Sequence, residues 1–419
     1  MKLVESSNGP AIAALLERAP GKSPIVERRV RRIVQDVRRR GDPALMAYTR
    51  KFDGVDGSLE ITRTEMESGA QQVPGVTRAA IRLAARHIRR VARRQVPKGW
   101  RLAPAPGVVI EQRVIPLERV GCYVPGGRHP LPSSLLMTAI PARTAGVKDV
   151  IVACPKPDPT VMFAALEAGV DGMFRIGGAH AIAALAYGTS TIARVDKIVG
   201  PGNAYVAAAK ALIARDCAID FFAGPSEIVI VSASGDPGWI AADLIAQAEH
   251  DPDARAVLLT PSRRLAEGVA RACEKQLSRT LAAREALTRH GAIVITGDLS
   301  EAIALSQRLA PEHVVCDDER TAARLTIAGT VCVGRWSAQA LGDYVTGSNH
   351  VLPTAGAARG RGGLSAADFV RVSTVQRVTR RGLCAIGPTA VTLARAEGLT
   401  AHAASIEVRG AGLGVRARE

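Results

Sequence analysis

Aromatic residues are scarce in this chain, and no long apolar run is present. Phe, Trp and Tyr make up only 3% of the 419 residues, so aliphatic side chains must fill the core, and the hydrophobic fraction of 47% supplies them. Charged residues interrupt every apolar run before it reaches the ~20 residues that a membrane-spanning helix needs. The N-terminal stretch Met1–Ser6 lacks the apolar core of a secretion signal. We therefore expect a cytoplasmic protein with room for two or three domains.

Cysteines are few and dispersed. The seven stand at positions 122, 154, 217, 273, 316, 332 and 384, and none forms a CxxC pair. An odd, scattered set indicates reduced, buried thiols rather than a disulfide framework or a cysteine-based zinc ribbon. A metal site in this chain would therefore take its ligands from His, Asp, Glu or Gln.

Acidic residues are outnumbered by basic ones, and the formal net charge is +16. The arginines are densest in Glu27–Arg40 and Arg78–Arg94. Because Val30, Ile33 and Val34 recur at helical spacing between the arginines, we predict amphipathic helices with a solvated basic face. Such a surface could instead bind nucleic acid through phosphate contacts, and that class of function stays open at this point. No zinc finger, aromatic RNA-binding motif or basic zipper accompanies the charge.

Residues from 108 onward alternate short apolar runs with helical patterns, whereas the first hundred residues are predicted to be helical. The expected strands are Val108–Ile110, Val120–Val124, Val150–Ala153, Gly172–Ile176, Lys197–Val199, Glu227–Val231, Ala256–Thr260, Ala292–Ile295, His313–Cys316 and Gly329–Cys332. The expected helices in this part are Thr160–Ala168, Ala179–Tyr187, Asn203–Arg215, Pro237–Glu249, Arg264–Ser278, Leu299–Leu309 and Pro388–Glu407. Apolar strands separated by helices indicate parallel sheets covered on both faces. About ten strands favour two doubly wound sheets rather than one.

A glutamine and a histidine close one of these helices. Gln247 and His250 stand three residues apart, so on a helical turn both side chains leave the same face. An amide oxygen and an imidazole nitrogen make half of a mixed site for a borderline metal such as zinc. An ordinary polar helix end is the alternative, because short motifs are weak signals.

Three further segments place a carboxylate near an imidazole. They are Glu312-His313, Asp343 with His350, and Glu397 with His402. A carboxylate and an imidazole that converge on a cleft suit a general base and a proton shuttle. Each histidine taken alone is more often a core or surface residue, but the joint pattern favours a catalytic site.

Glycines mark several junctions between strands and helices. The turns are Gly121–Gly127, Gly177–His180 and Gly200–Asn203. Free amides at a helix N-terminus attract phosphate, so these turns favour a nucleotide, although plain tight turns remain the alternative. The usual GxGxxG dinucleotide fingerprint is missing from them.

Together these blocks resemble the histidinol dehydrogenase family along nearly the whole chain. The matching segments are Arg40–Leu45, Glu118–Gly127, Leu131–Thr138, Val199–Tyr205, Ala223–Glu227, Gln247–Asp251, Ala310–His313, Gly342–Tyr344, Asn349–Thr354, Glu397–His402 and Glu407–Arg409. So many matches in the same order are far more specific than any single motif.

The resemblance adds detail to the α/β fold that the pattern indicates. We expect two Rossmann-like doubly wound parallel sheets, a helical N-terminal segment and a small helical C-terminal extension. The expected divisions are 1–107, a helical segment packing on the second sheet domain; 108–234, a first domain that contacts NAD; 235–375, a second domain with the zinc and catalytic residues; and 376–419, an extension that reaches the partner subunit.

The resemblance also implies an activity. The family oxidises L-histidinol to L-histidine, the last steps of histidine biosynthesis, in two successive NAD-dependent steps through a bound aldehyde. Zinc and NAD would be the cofactors, and a homodimer would share each active site between its subunits, with no nucleic-acid or membrane partner. Histidinol carries an imidazole and an amine, which are good zinc donors, so the metal can orient and polarise the substrate while NAD takes the hydride.

Individual residues take their expected roles from the same resemblance. The zinc ligands would be Gln247, His250, Asp343 and, from the partner subunit, His402. Glu312 would activate the water that attacks the aldehyde, and His313 would take and give protons; because the neutral imidazole is the useful base, activity should fall at acidic pH. The substrate would also contact Ser226, His350 and Glu397, besides the zinc ligands and His313. The residues expected to contact NAD are Tyr123, His180 and Asn203.

One position departs from the family pattern. The usual Gly-Gly-Ala-Gln turn reads Gly177-Gly178-Ala179-His180 here. A histidine can still donate one hydrogen bond, but it differs from glutamine in shape and it can become charged. We therefore expect this position to affect the affinity for NAD. The alternative function is that of a family relative, which would use zinc and NAD to oxidise another alcohol, such as a sulfonated diol.

Overall fold

The computed structural model describes residues 1–17, 23–126, 130–222, 224–277 and 282–410. Two motif residues used above, Gly127 and Ala223, lie outside the described residues, as do positions 411–419 of the expected extension. The strands are, in chain order, β1 (Lys2–Glu5), β2 (Trp100–Ala105), β3 (Val108–Pro116), β4 (Arg119–Tyr123), β5 (Asp149–Ala153), β6 (Gly172–Phe174), β7 (Lys197–Val199), β8 (Ala218–Ile219), β9 (Glu227–Val231), β10 (Arg255–Thr260), β11 (Ala292–Ile295), β12 (His313–Cys316), β13 (Thr330–Val333) and β14 (Val370–Val378).

Helices fill most of the sequence between the strands. They are α1 (Gly9–Leu16), α2 (Pro24–Arg40), α3 (Asp42–Asp53), α4 (Arg63–Gln71), α5 (Gly75–Gln95), α6 (Pro132–Ala145), α7 (Pro159–Ala168), α8 (Gly178–Tyr187), α9 (Ala204–Ile213), α10 (Pro237–Ala248), α11 (Arg263–Leu277), α12 (Ala282–Arg289), α13 (Leu299–Leu309), α14 (Glu319–Ala322), α15 (Gln339–Tyr344), α16 (Arg380–Ala396) and α17 (Thr400–Glu407). Within the described ranges, none of these helices is long and apolar enough to cross a membrane.

The described residues group into two compact units. The first contains Met1–Gln95 and Leu117–Phe369, and both parallel sheets belong to it. The second contains Val96–Pro116 and the described residues from Val370 onward, and it carries an antiparallel sheet. Residues 108–116 were expected in the first sheet domain, but they belong to this second unit.

The larger sheet has six parallel strands in the order β1-β11-β10-β9-β12-β13. Its central strand β9 is buried on both sides: Ile228 and Ile230 join one apolar cluster with α10 and α11, while Val229 and Val231 join another with α13. Alternate residues of a strand point to opposite faces, so helices must cover both faces of this sheet. The prediction of a doubly wound sheet is confirmed.

The smaller parallel sheet has the order β6-β5-β4-β7-β8. From β4 the chain first adds strands on one side, through β5 and β6, and then on the other, through β7 and β8. The strand order therefore reverses between β4 and β7, which is where open α/β sheets leave a crevice at their carboxyl ends.

The N-terminal helices pack differently from the expectation. Val30, Val34 and Val37 of α2 lie in one apolar cluster with α8 and α9, beside the smaller sheet. Strand β1 and helix α1, by contrast, join the larger sheet, through pairing of β1 with β11 and through buried Ile12. The segment was also expected to be wholly helical; β1 was missed because four largely exposed residues form a strand only through pairing with a distant one.

The antiparallel sheet, ordered β14-β3-β2, was not predicted. Strand β14 pairs with β3 from Val370 opposite Pro116 to Val378 opposite Val108. The partners are far apart in sequence and β14 is largely exposed, so no continuous apolar run marks it. The helix predicted over residues 388–407 is two helices, because Gly398, with φ of +76°, separates α16 from α17.

Candidate active site

The two residues expected to carry proton transfer, Glu312 and His313, lie together at the start of one strand of the larger sheet, beside the start of the neighbouring strand. His313 is the first residue of β12 and Glu312 precedes it, while Ser226 directly precedes β9. Because β9 and β12 are adjacent and parallel, with His313 opposite Ile228, these side chains meet at the amino-terminal edge of the larger sheet. The structure thus brings these three predicted residues together.

Glu312 is a buried carboxyl group, only 5% exposed. Its Oε2 accepts a hydrogen bond from the backbone N–H of Glu227 at 2.8 Å, and the Ser226 hydroxyl is a further partner. Burial raises the pKa of Glu312 well above its usual value, against the lowering effect of these hydrogen bonds. A carboxyl group whose pKa moves toward neutrality is suited to accept a proton from water.

His313 is 4% exposed, and its two ring nitrogens have different partners. Nδ1 lies 3.1 Å from the carbonyl oxygen of Glu227. Nε2 lies 3.0 Å from the amide nitrogen of Gln339 and 4.0 Å from Oδ1 of Asp343. Burial lowers the pKa of His313 to about 4, so the imidazole is neutral near pH 7. The neutral form required of a base is therefore the form that the site favours.

Two of the candidate metal ligands, Asp343 and His250, lie near His313. His250, just past the end of α10, has its Nε2 3.9 Å from Oδ2 of Asp343 on α15. Gln247, one helical turn before His250, is 1% exposed, and its buried Oε1 has no hydrogen-bond partner among the residues that the structure describes. A buried oxygen without a partner costs free energy, and a metal ion would satisfy it.

Among the described residues, no group of three His, Cys, Asp or Glu side chains is arranged to hold a metal ion. A glutamine amide oxygen lies outside that count, so the expected donor set of Gln247, His250 and Asp343 stays a prediction. A tetrahedral zinc site needs one donor more, and a further side chain or a substrate atom can provide it.

His350 lies behind Asp343. Its Nδ1 donates to the backbone oxygen of Asp343 at 2.9 Å, and its Nε2 lies 3.5 Å from the hydroxyl oxygen of Ser134 on α6. Burial lowers the pKa of His350, which keeps it neutral. Asn349 directly precedes His350 in the sequence. Its side-chain amide donates to the carbonyl of Met137 at 2.7 Å and anchors the loop.

Glu397 and His402 belong to the second compact unit. Glu397 ends α16, His402 lies in the first turn of α17, and both are exposed. The structure describes them on their own unit, so their predicted roles as substrate contact and zinc ligand stay predictions.

Two of the residues expected to contact NAD surround the glycine turn after β6. The hydroxyl of Tyr123 accepts from the N–H of Gly178 at 3.1 Å, and burial raises the pKa of Tyr123 to about 12. His180 is 1% exposed, and its Nε2 lies 2.9 Å from Oδ2 of Asp53, which also accepts from the N–H of Gly177 at 3.1 Å. Asp53 and Tyr123 therefore take up the N–H groups of Gly177 and Gly178, and the nucleotide expected at this turn stays a prediction.

Asn203, the third of these residues, is exposed at the start of α9. Its Oδ1 accepts from the N–H groups of Tyr205 and Val206 at 3.0 and 3.2 Å, which makes it the N-cap of that helix. The loop before it leaves β7 beside the end of β4. Tyr123, His180 and Asn203 therefore all follow carboxyl ends of strands in the smaller sheet, on both sides of the point where the strand order reverses.

Two polar residues of these sites were not identified from the sequence. Asp53, at the end of α3, anchors His180, and Gln339 bridges His313 and Asp343. Gln339 and Asp343 stand four residues apart on a short helix, and this spacing could have indicated Gln339 from the sequence. No local pattern links Asp53 to a turn more than a hundred residues away.

Comparison with known proteins gives one consistent result. The family profile described as histidinol dehydrogenase matches residues 16–410. A histidinol dehydrogenase from Cereibacter sphaeroides is 47% identical over 410 residues, which cover 94% of this chain and 94% of the relative. One from Geobacter sulfurreducens is 44% identical over 412 residues, which cover 95% and 96%. The crystal structure of histidinol dehydrogenase from Elizabethkingia anophelis is similar with a TM-score of 0.94 and 34% identity, over 99% of this chain and 98% of that one.

Proposed function

The chain belongs to the histidinol dehydrogenase family, and from this membership we propose that it oxidises L-histidinol to L-histidine in two steps that each reduce one NAD. The observation that carries the proposal is the buried pair Glu312 and His313, which faces Asp343 and His250 at one sheet edge. A neutral imidazole base, a carboxyl group beside it and a set of metal donors are the parts that this reaction needs.

The donor set fits a zinc ion. Gln247, His250 and Asp343 would hold it, with His402 from a second copy of the chain as the fourth ligand. The unpartnered buried oxygen of Gln247 supports this assignment, because a protein interior rarely leaves such an atom unsatisfied. When bound, the metal would orient the amine and imidazole of the substrate and polarise its oxygen.

Proton transfer then falls to the two buried side chains. In the first oxidation, Nε2 of His313 would take the hydroxyl proton, and the carbon that bears this hydroxyl would lose a hydride to the first NAD, which yields the aldehyde. In the second, Glu312 would take a proton from the water that adds to the aldehyde carbon, and the same carbon would lose a hydride to the second NAD. One alcohol, two NAD and one water give one carboxylate, two NADH and three protons.

NADH production from L-histidinol tests the proposal. We expect histidinol to start NADH formation, measured by the absorbance of NADH. NADH formation should be lost after chelation and dialysis, and it should return when zinc is added. The matched control is enzyme treated with chelator that has already been saturated with zinc. A panel of other alcohols, including a sulfonated diol, accompanies the assay; NADH from one of them with none from histidinol would refute the proposed substrate.

The turn that leads to Asn203 bears on the NAD part of the proposal. Gly200 has φ of +116°, and a Cβ atom built there would lie 2.1 Å from the backbone oxygen of Tyr123. In Gly200→Ala the loop must move away from β4, so we expect a higher KM for NAD, an unchanged KM for histidinol and a melting temperature lower by a few degrees. Gly75→Ala is the control, since a Cβ atom there meets nothing within 4 Å. An unchanged KM for NAD in Gly200→Ala would contradict a cofactor site at this loop.

Mixing two inactive chains tests the shared site. If His402 acts in the active site of a second copy, His402→Ala and Glu312→Ala chains should each be inactive alone. Mixed dimers should then hold one site with both residues intact, so random exchange should restore about a quarter of the wild-type sites in a two-fold dimer. The readout is NADH formation after refolding the two chains together, with mixing verified by separate affinity tags. No recovery in verified mixed dimers would show that each chain builds its own site.

A further inference from the structure

Gln339 lies between the proton-transfer base and a candidate metal ligand, and it is 1% exposed. Its amide nitrogen is 3.0 Å from Nε2 of His313 and 2.9 Å from Oδ2 of Asp343. We propose that Gln339 is a positioning residue that fixes the tautomer of His313 and the orientation of the Asp343 carboxylate at the same time. This inference rests on the proposed function, in which these two residues act as base and ligand.

The orientation of the Gln339 amide follows from its neighbours. The carboxylate of Asp343 can only accept hydrogen bonds, so the side of the amide that faces it must be the NH₂ group. An amide oxygen turned toward Asp343 would place two acceptors in contact inside a buried site, which is costly. The NH₂ group has two hydrogens, and the second one is available for Nε2 of His313.

The tautomer of His313 then follows from both of its contacts. Nε2 accepts from Gln339, so it bears the lone pair. Nδ1 faces the carbonyl oxygen of Glu227, which also only accepts, so Nδ1 bears the proton. The lone pair of Nε2 therefore points to the Gln339 amide, and Oδ1 of Asp343 lies 4.0 Å from the same nitrogen. That is the nitrogen that must receive the hydroxyl proton of the substrate.

A glutamine has chemical properties that suit this place. It is a neutral donor that takes no proton itself, so it does not compete with His313 as a base. Because its hydrogen bond to Nε2 is between neutral groups, it is weaker than a charge-assisted bond and can yield to a substrate hydroxyl. A glutamate here would place a second acceptor against both Asp343 and Nε2, and a protonated glutamic acid could donate to only one of them.

The bridge also joins two separate elements. Gln339 and Asp343 are four residues apart and share one face of α15, whereas His313 begins β12. One amide thereby ties a helix of only six residues to the edge of the larger sheet. Partners behind metal ligands typically change metal affinity or activity by roughly 10–100-fold when they are removed.

Three variants test the inference against a matched control. Gln339→Glu keeps the shape but removes the pair of donors, Gln339→Asn keeps the amide but shortens its reach, and Gln339→Ala removes the group. The control is Gln307→Glu on α13, where the amide nitrogen likewise donates twice, to the carbonyl of Arg324 and the hydroxyl of Thr326. Melting temperature reports whether each variant folds.

We expect kcat for histidinol to fall by roughly 10–100-fold in Gln339→Glu and Gln339→Ala, with KM for NAD unchanged. Zinc retained after dialysis against graded EDTA should be half removed at a roughly tenfold lower EDTA concentration than in the wild type. For Gln339→Asn, both kcat and zinc retention should lie between the values of Gln339→Ala and those of the wild type. Gln307→Glu should match the wild type in both measurements. Wild-type kcat and wild-type zinc retention in folded Gln339→Glu would overturn the inference while leaving the proposed function intact.

The tautomer can be read directly, without a variant at Gln339 and without metal. In ¹⁵N-histidine-labelled, zinc-free protein near pH 7, long-range proton–nitrogen correlations should show His313 protonated on Nδ1 and bare on Nε2; the His313→Asn protein identifies the signals. The opposite tautomer would overturn the inference whatever the activity. A wild-type enzyme that gives no NADH from histidinol would refute the proposed function instead, so the two failures are distinct.

Discussion

Replacing His313 with Asn should lower kcat for histidinol by roughly two to four orders of magnitude, the usual effect of removing a positioned proton-transfer group. The substitution keeps a polar side chain in a buried position, and it removes Nε2, the ring nitrogen that lies 3.0 Å from the amide nitrogen of Gln339 and 4.0 Å from Oδ1 of Asp343. KM for NAD should change little, because the residues proposed to contact NAD, Tyr123, His180 and Asn203, lie at or after the ends of strands in the smaller sheet. Steady-state kinetics at a fixed pH, with melting temperature as a check on folding, measure the effect.

The control for this substitution is His290→Asn. His290 lies just past α12, and its Nε2 is 3.6 Å from Oδ1 of Asp253, away from the residues discussed here. It should keep the wild-type kcat. If His313→Asn also turned over at nearly the wild-type rate, His313 would be excluded as the proton shuttle, and the base would have to be sought among its neighbours.

Glu312→Gln should separate the two oxidations. The amide introduced by this substitution would keep an oxygen able to accept from the N–H of Glu227, so the start of β9 should be preserved, but it could not take a proton from water. We expect the alcohol to be oxidised to the aldehyde, while the second oxidation slows by roughly two to four orders of magnitude. With enzyme in excess over histidinol, a single turnover should then give one NADH per histidinol instead of two.

Glu301→Gln serves as the matched control. The Oε2 of Glu301 accepts a backbone N–H, that of Gly297, at 2.6 Å, much as Glu312 does, but it lies on the first turn of α13. It should release two NADH per histidinol at the wild-type rate. Two NADH at that same rate from Glu312→Gln would remove Glu312 from the water-addition step.

The parts of the fold with strong local patterns were predictable. Strands β7, β9, β11 and β12 have the predicted bounds, because each is a short apolar run buried on both faces and flanked by helices. The antiparallel sheet was not predictable in the same way. Its strand β14 pairs with β3 across more than half of the chain, and sequence periodicity carries no record of such a partner.

Some residues of the candidate site were likewise predictable from local sequence patterns, and others were not. Glu312 with His313, and Gln247 with His250, are close in sequence, so a motif could suggest each pair and the structure then showed that His250 and His313 both approach Asp343. Asp53 and Gln339 are single polar residues whose importance comes from what they contact. The hydrogen bond between Asp53 and His180 joins residues on α3 and α8, and only the folded chain reveals it.

The pairing of β3 with β14 has a consequence for how the protein is made. During synthesis, β2 and β3 leave the ribosome early, but β14 follows only after both parallel sheets have been translated. At elongation rates of about 5–20 residues per second, that delay is on the order of 15–50 s. For all of that time the nascent hairpin, with exposed Trp100 and Leu102, has an open edge that another chain could join. Overproduction with ample chaperone should therefore raise the yield of folded protein.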